Sequence, residues 1–96
     1  MKCVYLNYLP TTKEYFYKAT EDCLVNLHVA NTYSGSLTVV IALNVNGGSS
    51  VAIFEKSMAT GETYTLTDIA LNEGMAIGGQ AGTANYVSIK LDKQWK

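Results

Sequence analysis

Apolar and polar side chains alternate along most of this chain. Cys23, Val25, Leu27 and Val29 are separated by Leu24, Asn26, His28 and Ala30. Leu37, Val39, Ile41, Leu43 and Val45 are separated by Thr38, Val40, Ala42 and Asn44, and Val87, Ile89 and Leu91 by Ser88 and Lys90. Successive side chains on a β-strand point to opposite faces, so a period of two marks strands with one face in a core. The abundance of β-branched and aromatic residues agrees. Turn-forming clusters lie between the runs. Thr32-Tyr33-Ser34-Gly35-Ser36 reads as a hairpin loop, and Asn46-Gly47-Gly48-Ser49-Ser50 carries residues that tolerate the positive φ of tight hairpins. Thr60-Gly61-Glu62 and Asn72-Glu73-Gly74 are two further turns, and residues 78–85, Gly78 to Asn85, form the longest loop-like run.

Punctuated in this way, the chain predicts about eight short strands, near residues 2–8, 14–19, 22–31, 36–46, 50–57, 62–67, 75–79 and 85–92. Such spacing is that of an all-β protein, an antiparallel β-sandwich of Ig-like or jelly-roll-like type. Residues 13–21 have room for a helical turn, but Tyr15-Phe16-Tyr17 favours a strand there. The chain has 96 residues and no linker, repeat or low-complexity segment, so a single domain over residues 1–96 is expected. A chain of this length buries roughly 60–70% of its unfolded surface, enough for a core without staples.

Composition narrows the partners. The formal net charge is −1, and all seven basic residues are lysine. Arginine supplies the planar fork that reads phosphates and guanine edges, so its absence argues against a nucleic-acid partner. Lys93 and Lys96 read as a solvated C-terminal tail, with Trp95 in the same frayed segment. No stretch approaches the roughly 18–20 apolar residues that span a bilayer, so no membrane partner is expected. The N-terminal residues lack the apolar stretch and small-residue site of a signal peptide, which implies synthesis in a cytoplasm. The two cysteines, Cys3 and Cys23, are expected to be reduced, with Cys23 a small buried hydrophobe in phase with its strand.

Chemistry is sparse. His28 is the single histidine and sits in the outward phase of its strand, where no sequence signature marks a nucleophile for it to activate. Cys3, Cys23 and His28 have no metal-ligand spacing, and the acidic residues are scattered rather than clustered as in calcium loops. Gly78-Gly79-Gln80-Ala81-Gly82 precedes a strand rather than a helix and contains no lysine, unlike a phosphate loop. No enzyme activity, metal or cofactor is expected.

The aromatic residues are more informative. Seven of the ten are tyrosine, which joins large apolar area to a polar tip and suits interfaces. Tyr15-Phe16-Tyr17 places rings on both faces of one strand, with Phe16 feeding the core and the two tyrosines outward, or the reverse. Outward tyrosines there serve rim packing, a subunit interface or a sugar-stacking platform. Val40 and Ala42 fill the outward phase of the most apolar strand, which needs a cover from a neighbouring subunit or from the same chain. Tyr15, Tyr17, Val40, Ala42 and the loop residue Tyr33 are therefore the candidate protein-interface residues.

Several segments in order resemble a family of short structural proteins of tailed bacteriophages. They are Val29-Ala30-Asn31-Thr32, the apolar strand Leu37 to Val45, residues 59–66 (Ala59 to Leu66), residues 71–77 (Leu71 to Ile77) and Val87-Ser88-Ile89, together covering roughly residues 20–92. After Gly74, where that family commonly has aspartate, this chain has Met75. The resemblance implies a β-sandwich virion subunit without enzyme activity, first of all a capsid decoration (cement) protein. Its partner would be the major capsid protein or another virion protein, and its own state a homo-oligomer, with a trimer favoured. It would be made in the host bacterial cytoplasm and end on the capsid exterior. The alternatives are a tail or head–tail (collar or fibre-attachment) component, and a carbohydrate- or receptor-binding module using tyrosines and Trp95.

Overall fold

The computed structural model describes residues 2–45 and 48–95, with side chains to Gln94. Met1, Asn46, Gly47, Lys96 and the Trp95 side chain lie outside the described residues. The described chain is all-β. Its strands are β1 (Lys2–Tyr8), β2 (Glu14–Lys18), β3 (Cys23–Asn31), β4 (Leu37–Val45), β5 (Ser50–Met58), β6 (Thr63–Leu71), β7 (Met75–Ala81) and β8 (Val87–Trp95). They form two antiparallel four-stranded sheets, β1-β8-β3-β6 (sheet A) and β2-β7-β4-β5 (sheet B). An Ig-like order would place early strands side by side, whereas here β1 pairs with β8 and β2 with β7. The architecture is the jelly-roll form of the sandwich.

The alternating runs face as their period requires, except that Val45, in the inward phase of its run, is 55% exposed. Val25, Leu27, Val29, Val39, Ile41, Ile77, Ile89 and Leu91 point between the sheets and are at most 1% exposed. Burial of each such side chain contributes about 1.5–3 kcal/mol. Cys23 is buried among them, Cys3 is exposed, and no disulfide joins the two.

Several local expectations are corrected. All connections except β4–β5 change sheet, so residues 32–36 are a crossover between sheets rather than a hairpin loop, and the turns expected at 60–62 and 72–74 likewise carry the chain from one sheet to the other. The Gly78-Gly79 pair, expected both to end the 75–79 strand and to open the loop-like run, lies inside β7, which continues to Ala81 opposite Ala42, Ile41 and Val39. Absent side chains let neighbouring backbone approach closely, since a Cβ on Gly78 would lie 2.2 Å from the Glu14 carbonyl oxygen. Lys93 is no solvated tail. β8 continues through Trp95 in register with Cys23, and Lys93 is only 5% exposed. Its ammonium donates to Glu21 Oε1 (3.2 Å) and lies 5.9 Å from the centre of the Tyr17 ring. A hydrogen bond to Tyr17 holds its pKa above the ordinary lysine value, burial opposes this, and Glu21 adds to the rise.

The crossovers at one end are tied together by Asn31, a polar residue 1% exposed. Its Nδ2 donates to the carbonyls of Met58 (2.9 Å), Gly35 (3.1 Å) and Ala59 (3.3 Å), and its Oδ1 accepts from the Tyr33 N–H (2.9 Å). Its main chain pairs with Glu62 and Gly61 of the β5–β6 crossover. Gly61, with φ 77°, supplies the left-handed turn there.

Glu62 closes that crossover by accepting from the Ala59 N–H (2.8 Å) and the Tyr64 hydroxyl (2.9 Å). The Ala59 bond first, then Tyr64, and the charge of Lys56 more weakly, hold its carboxyl below the ordinary value of 4.5. A carboxyl lowered on folding contributes stability above its unfolded pKa and loses it as pH falls through the folded one. The denaturation midpoint is therefore expected to drop as pH falls below 4.5. Glu62→Gln keeps an acceptor for Ala59 and should flatten that part of the pH profile. An unchanged profile in the variant would remove Glu62 from this role.

Candidate functional site

The molecule is a slab, 38 × 28 × 17 Å, and its broad surfaces are the outer faces of the two sheets. On sheet B the bulge between Tyr15 and Tyr17 breaks the expected alternation. Tyr15, opposite Gly78, lies on the outer face, whereas Phe16 and Tyr17 both pack against the core. Phe16 stacks on Tyr5 at 4.8 Å between ring centres. Tyr17 therefore belongs to the core side of β2 and leaves the outward set.

The Tyr15 hydroxyl is hydrogen-bonded to Ser50 Oγ on β5, the opposite edge of sheet B. A bond between the two edge strands requires the ring to cross the middle pair, whose outward residues at that level are Gly78 and Ala42. Ala42 is consequently only 2% exposed, covered by its own chain and withdrawn from any interface. Val40 remains outward and half-buried, opposite Gln80 and Glu55. Tyr33 lies on neither face. It sits in the β3–β4 crossover, half-buried, edge-on to Tyr86 at 4.8 Å.

At the β5 margin Val51 (61% exposed), Val45 (55%) and Ile53 (41%) form an apolar fringe. The strand itself is guarded against pairing with another strand. It carries a bulge at Ile53, and Lys56, opposite the inward-facing Val39, lays its ammonium over the Tyr64 ring at 5.4 Å. Bulges and inward-directed charges are how exposed edges avoid indiscriminate strand addition. The fringe is thus available to partners through side chains rather than backbone.

The outer face of sheet A holds the one histidine and was not singled out by the sequence reading as a surface. Register places Tyr8, Ser88, Ala30 and Thr63 in one row across the four strands, and Leu6, Lys90, His28 and Thr65 in the next. Leu6 (70%) and Tyr8 (47%) stand exposed on edge strand β1. Two shallow depressions of about 280 and 360 Å³ share Leu6 and Ser88 as walls. His28 is held at both nitrogens, by Thr65 Oγ1 (3.3 Å) and Asp92 Oδ2 (3.2 Å), and Asp92 also meets the Lys90 ammonium at 3.5 Å.

That hydroxyl–imidazole–carboxylate chain has the order of a nucleophilic triad, and no spacing in the sequence announces it. Acyl transfer also needs donors, from backbone N–H groups or side chains, aimed at a developing oxyanion. Strands β3 and β8 lie inside the sheet, paired on both sides, so their N–H groups at this level are engaged in the ladder. Among the described residues no group of three or more histidine, cysteine, aspartate or glutamate side chains is placed to hold a metal ion. No protein-family model, curated protein or solved structure matches the chain.

Proposed function

We propose that this chain is a non-enzymatic structural subunit of a phage virion, in the first place a capsid decoration protein that binds the lattice of the major capsid protein. The observation that carries the proposal is the apolar fringe of Val45, Val51 and Ile53, exposed at the β5 margin of a flat jelly-roll slab. Large side chains left in water on an otherwise well-packed domain mark a surface that a partner covers. The resemblance of the segment order to phage structural proteins motivates the same reading, and the jelly roll is an architecture used for capsid parts. The mechanism requires area alone, roughly 25 cal/mol per Å² of apolar surface, multiplied by symmetry over many copies.

Light scattering on the purified chain, followed by co-sedimentation with empty phage heads, tests this. The expected result is a trimer that sediments with the heads. Val40→Asp, or Val51→Asp on the fringe, should weaken attachment about tenfold or more while leaving the thermal midpoint of the free subunit nearly unchanged. A monomer that stays in the supernatant with heads, and sediments with isolated tails, would replace decoration by a tail or collar role.

A further inference from the structure

The outer face of sheet A has a composition that attachment to a protein lattice does not account for. Protein–protein interfaces place apolar and aromatic residues at the centre and polar residues around them. Here the order is reversed. Leu6 and Tyr8 stand on the edge strand β1, while the middle strands β8 and β3 present Ser88, Lys90, His28 and the small Ala30. Thr63 and Thr65 line the far side. With neighbouring strands about 4.8 Å apart, the distance from the Tyr8 row position to Thr63 is about 14 Å.

The charges on this face do not favour an anion. Asp92 meets both the Lys90 ammonium (3.5 Å) and the His28 ring (3.2 Å), so one carboxylate offsets the nearby cation. Hydroxyl groups, an amphipathic ring at one margin and two adjoining depressions of about 280 and 360 Å³ remain. The depressions stand at the small end of ligand sites. The polar groups are mounted on paired strands, and His28 is held at both ring nitrogens, so little freedom is lost when a ligand bonds to them.

We propose that this face binds a neutral glycan of at least two sugar units. One ring lies with its C–H face on Tyr8 and Leu6, and its hydroxyls bond to Ser88 and Lys90. The next lies over Ala30, with its hydroxyls toward Thr63 and Thr65. The proposal stands on sheet A alone and is independent of the virion reading, which rests on sheet B and the β5 fringe.

Amide chemical-shift mapping of the full chain, titrated separately with maltose, cellobiose, lactose and chitobiose in millimolar excess, tests it. At least one of these sugars should move the amides of β1 near Leu6 and Tyr8, of Ala30 and of Ser88–Lys90, while β2, β4 and β5 stay still. Tyr8→Ala removes a side chain that is 47% exposed, so the fold should persist, and the affinity should fall about tenfold or more. Ala30→Leu, which fills the trough, should abolish the shifts, with an unchanged thermal midpoint showing that the variant is folded. Absence of shifts with all four sugars would overturn the proposal. So would shifts confined to sheet B, or movement of the same amides on raising protein concentration without sugar, which would make the face a contact between copies.

Discussion

Asn31→Asp is expected to destabilise the fold by about 3–5 kcal/mol at neutral pH, the cost of a buried charge without a partner. The substitution conserves shape, so the effect is electrostatic. Nδ2 of Asn31 donates to the carbonyls of Met58, Gly35 and Ala59. A carboxylate would set an anionic oxygen against three acceptors in a site 1% exposed. Burial and facing carbonyls raise the pKa of such a carboxyl above its unfolded value. Its penalty is therefore full at neutral pH and shrinks as pH falls, because the protonated acid regains one donor. Asn31→Ala removes the donors without adding charge and should cost less, about 2–3 kcal/mol. Urea denaturation of both variants at neutral and mildly acidic pH separates the cases. Equal losses for aspartate and alanine, with no recovery in acid, would show that Asn31 acts by filling space and not by joining the crossovers.

Gly78→Ala is expected to cost about 3 kcal/mol or more, far beyond the usual effect of adding one methyl group. The added Cβ would meet the Glu14 carbonyl oxygen at 2.2 Å and the Tyr15 Cα at 2.7 Å. Both atoms are backbone, so no rotamer change relieves the clash and β2 itself has to move. β2 is an edge strand of five residues paired only with β7. Its displacement would break the bond from the Tyr15 hydroxyl to Ser50 and uncover Ala42. Hydrogen exchange should show lost protection in Glu14–Lys18, with β3 and β8 keeping theirs. Retained protection in β2 would contradict the close approach of the two strands. Gly79→Ala should be as severe but global, because its Cβ would meet the Val40 carbonyl oxygen at 2.4 Å in the middle of the sheet.

The candidate surfaces were only partly legible in the sequence. Val40 lies outward as its phase requires, because alternation is a local property of an extended backbone. The same rule fails at Tyr15-Phe16-Tyr17, where a bulge sends consecutive residues Phe16 and Tyr17 to the core side. Ala42 was read as needing a cover from either a neighbour or its own chain. The cover is Tyr15, twenty-seven positions away in sequence. Leu6 and Tyr8 share an alternating phase that marks them as outward, but nothing local relates them to Ser88, Ala30 or Thr63.

By itself the sequence determined an all-β sandwich of eight strands, the inward residues of β3 and β8 and those of β4 as far as Leu43, and the buried, unbridged Cys23. Each of these follows from side-chain period, turn chemistry and composition, which act over a few residues. Tertiary structure alone decided which strands pair. The hairpin signal at residues 32–36 and the turn at 60–62 carry the chain between sheets, giving β1-β8-β3-β6 over β2-β7-β4-β5. It alone carried β7 past Gly78 and Gly79 to Ala81, drew Lys93 inward to Glu21, and joined Thr65, His28 and Asp92 on one face. A period of two specifies the side a residue faces and leaves its neighbour across the sheet open. That choice is made by packing among strands far apart in sequence, where burial of the whole core selects one arrangement.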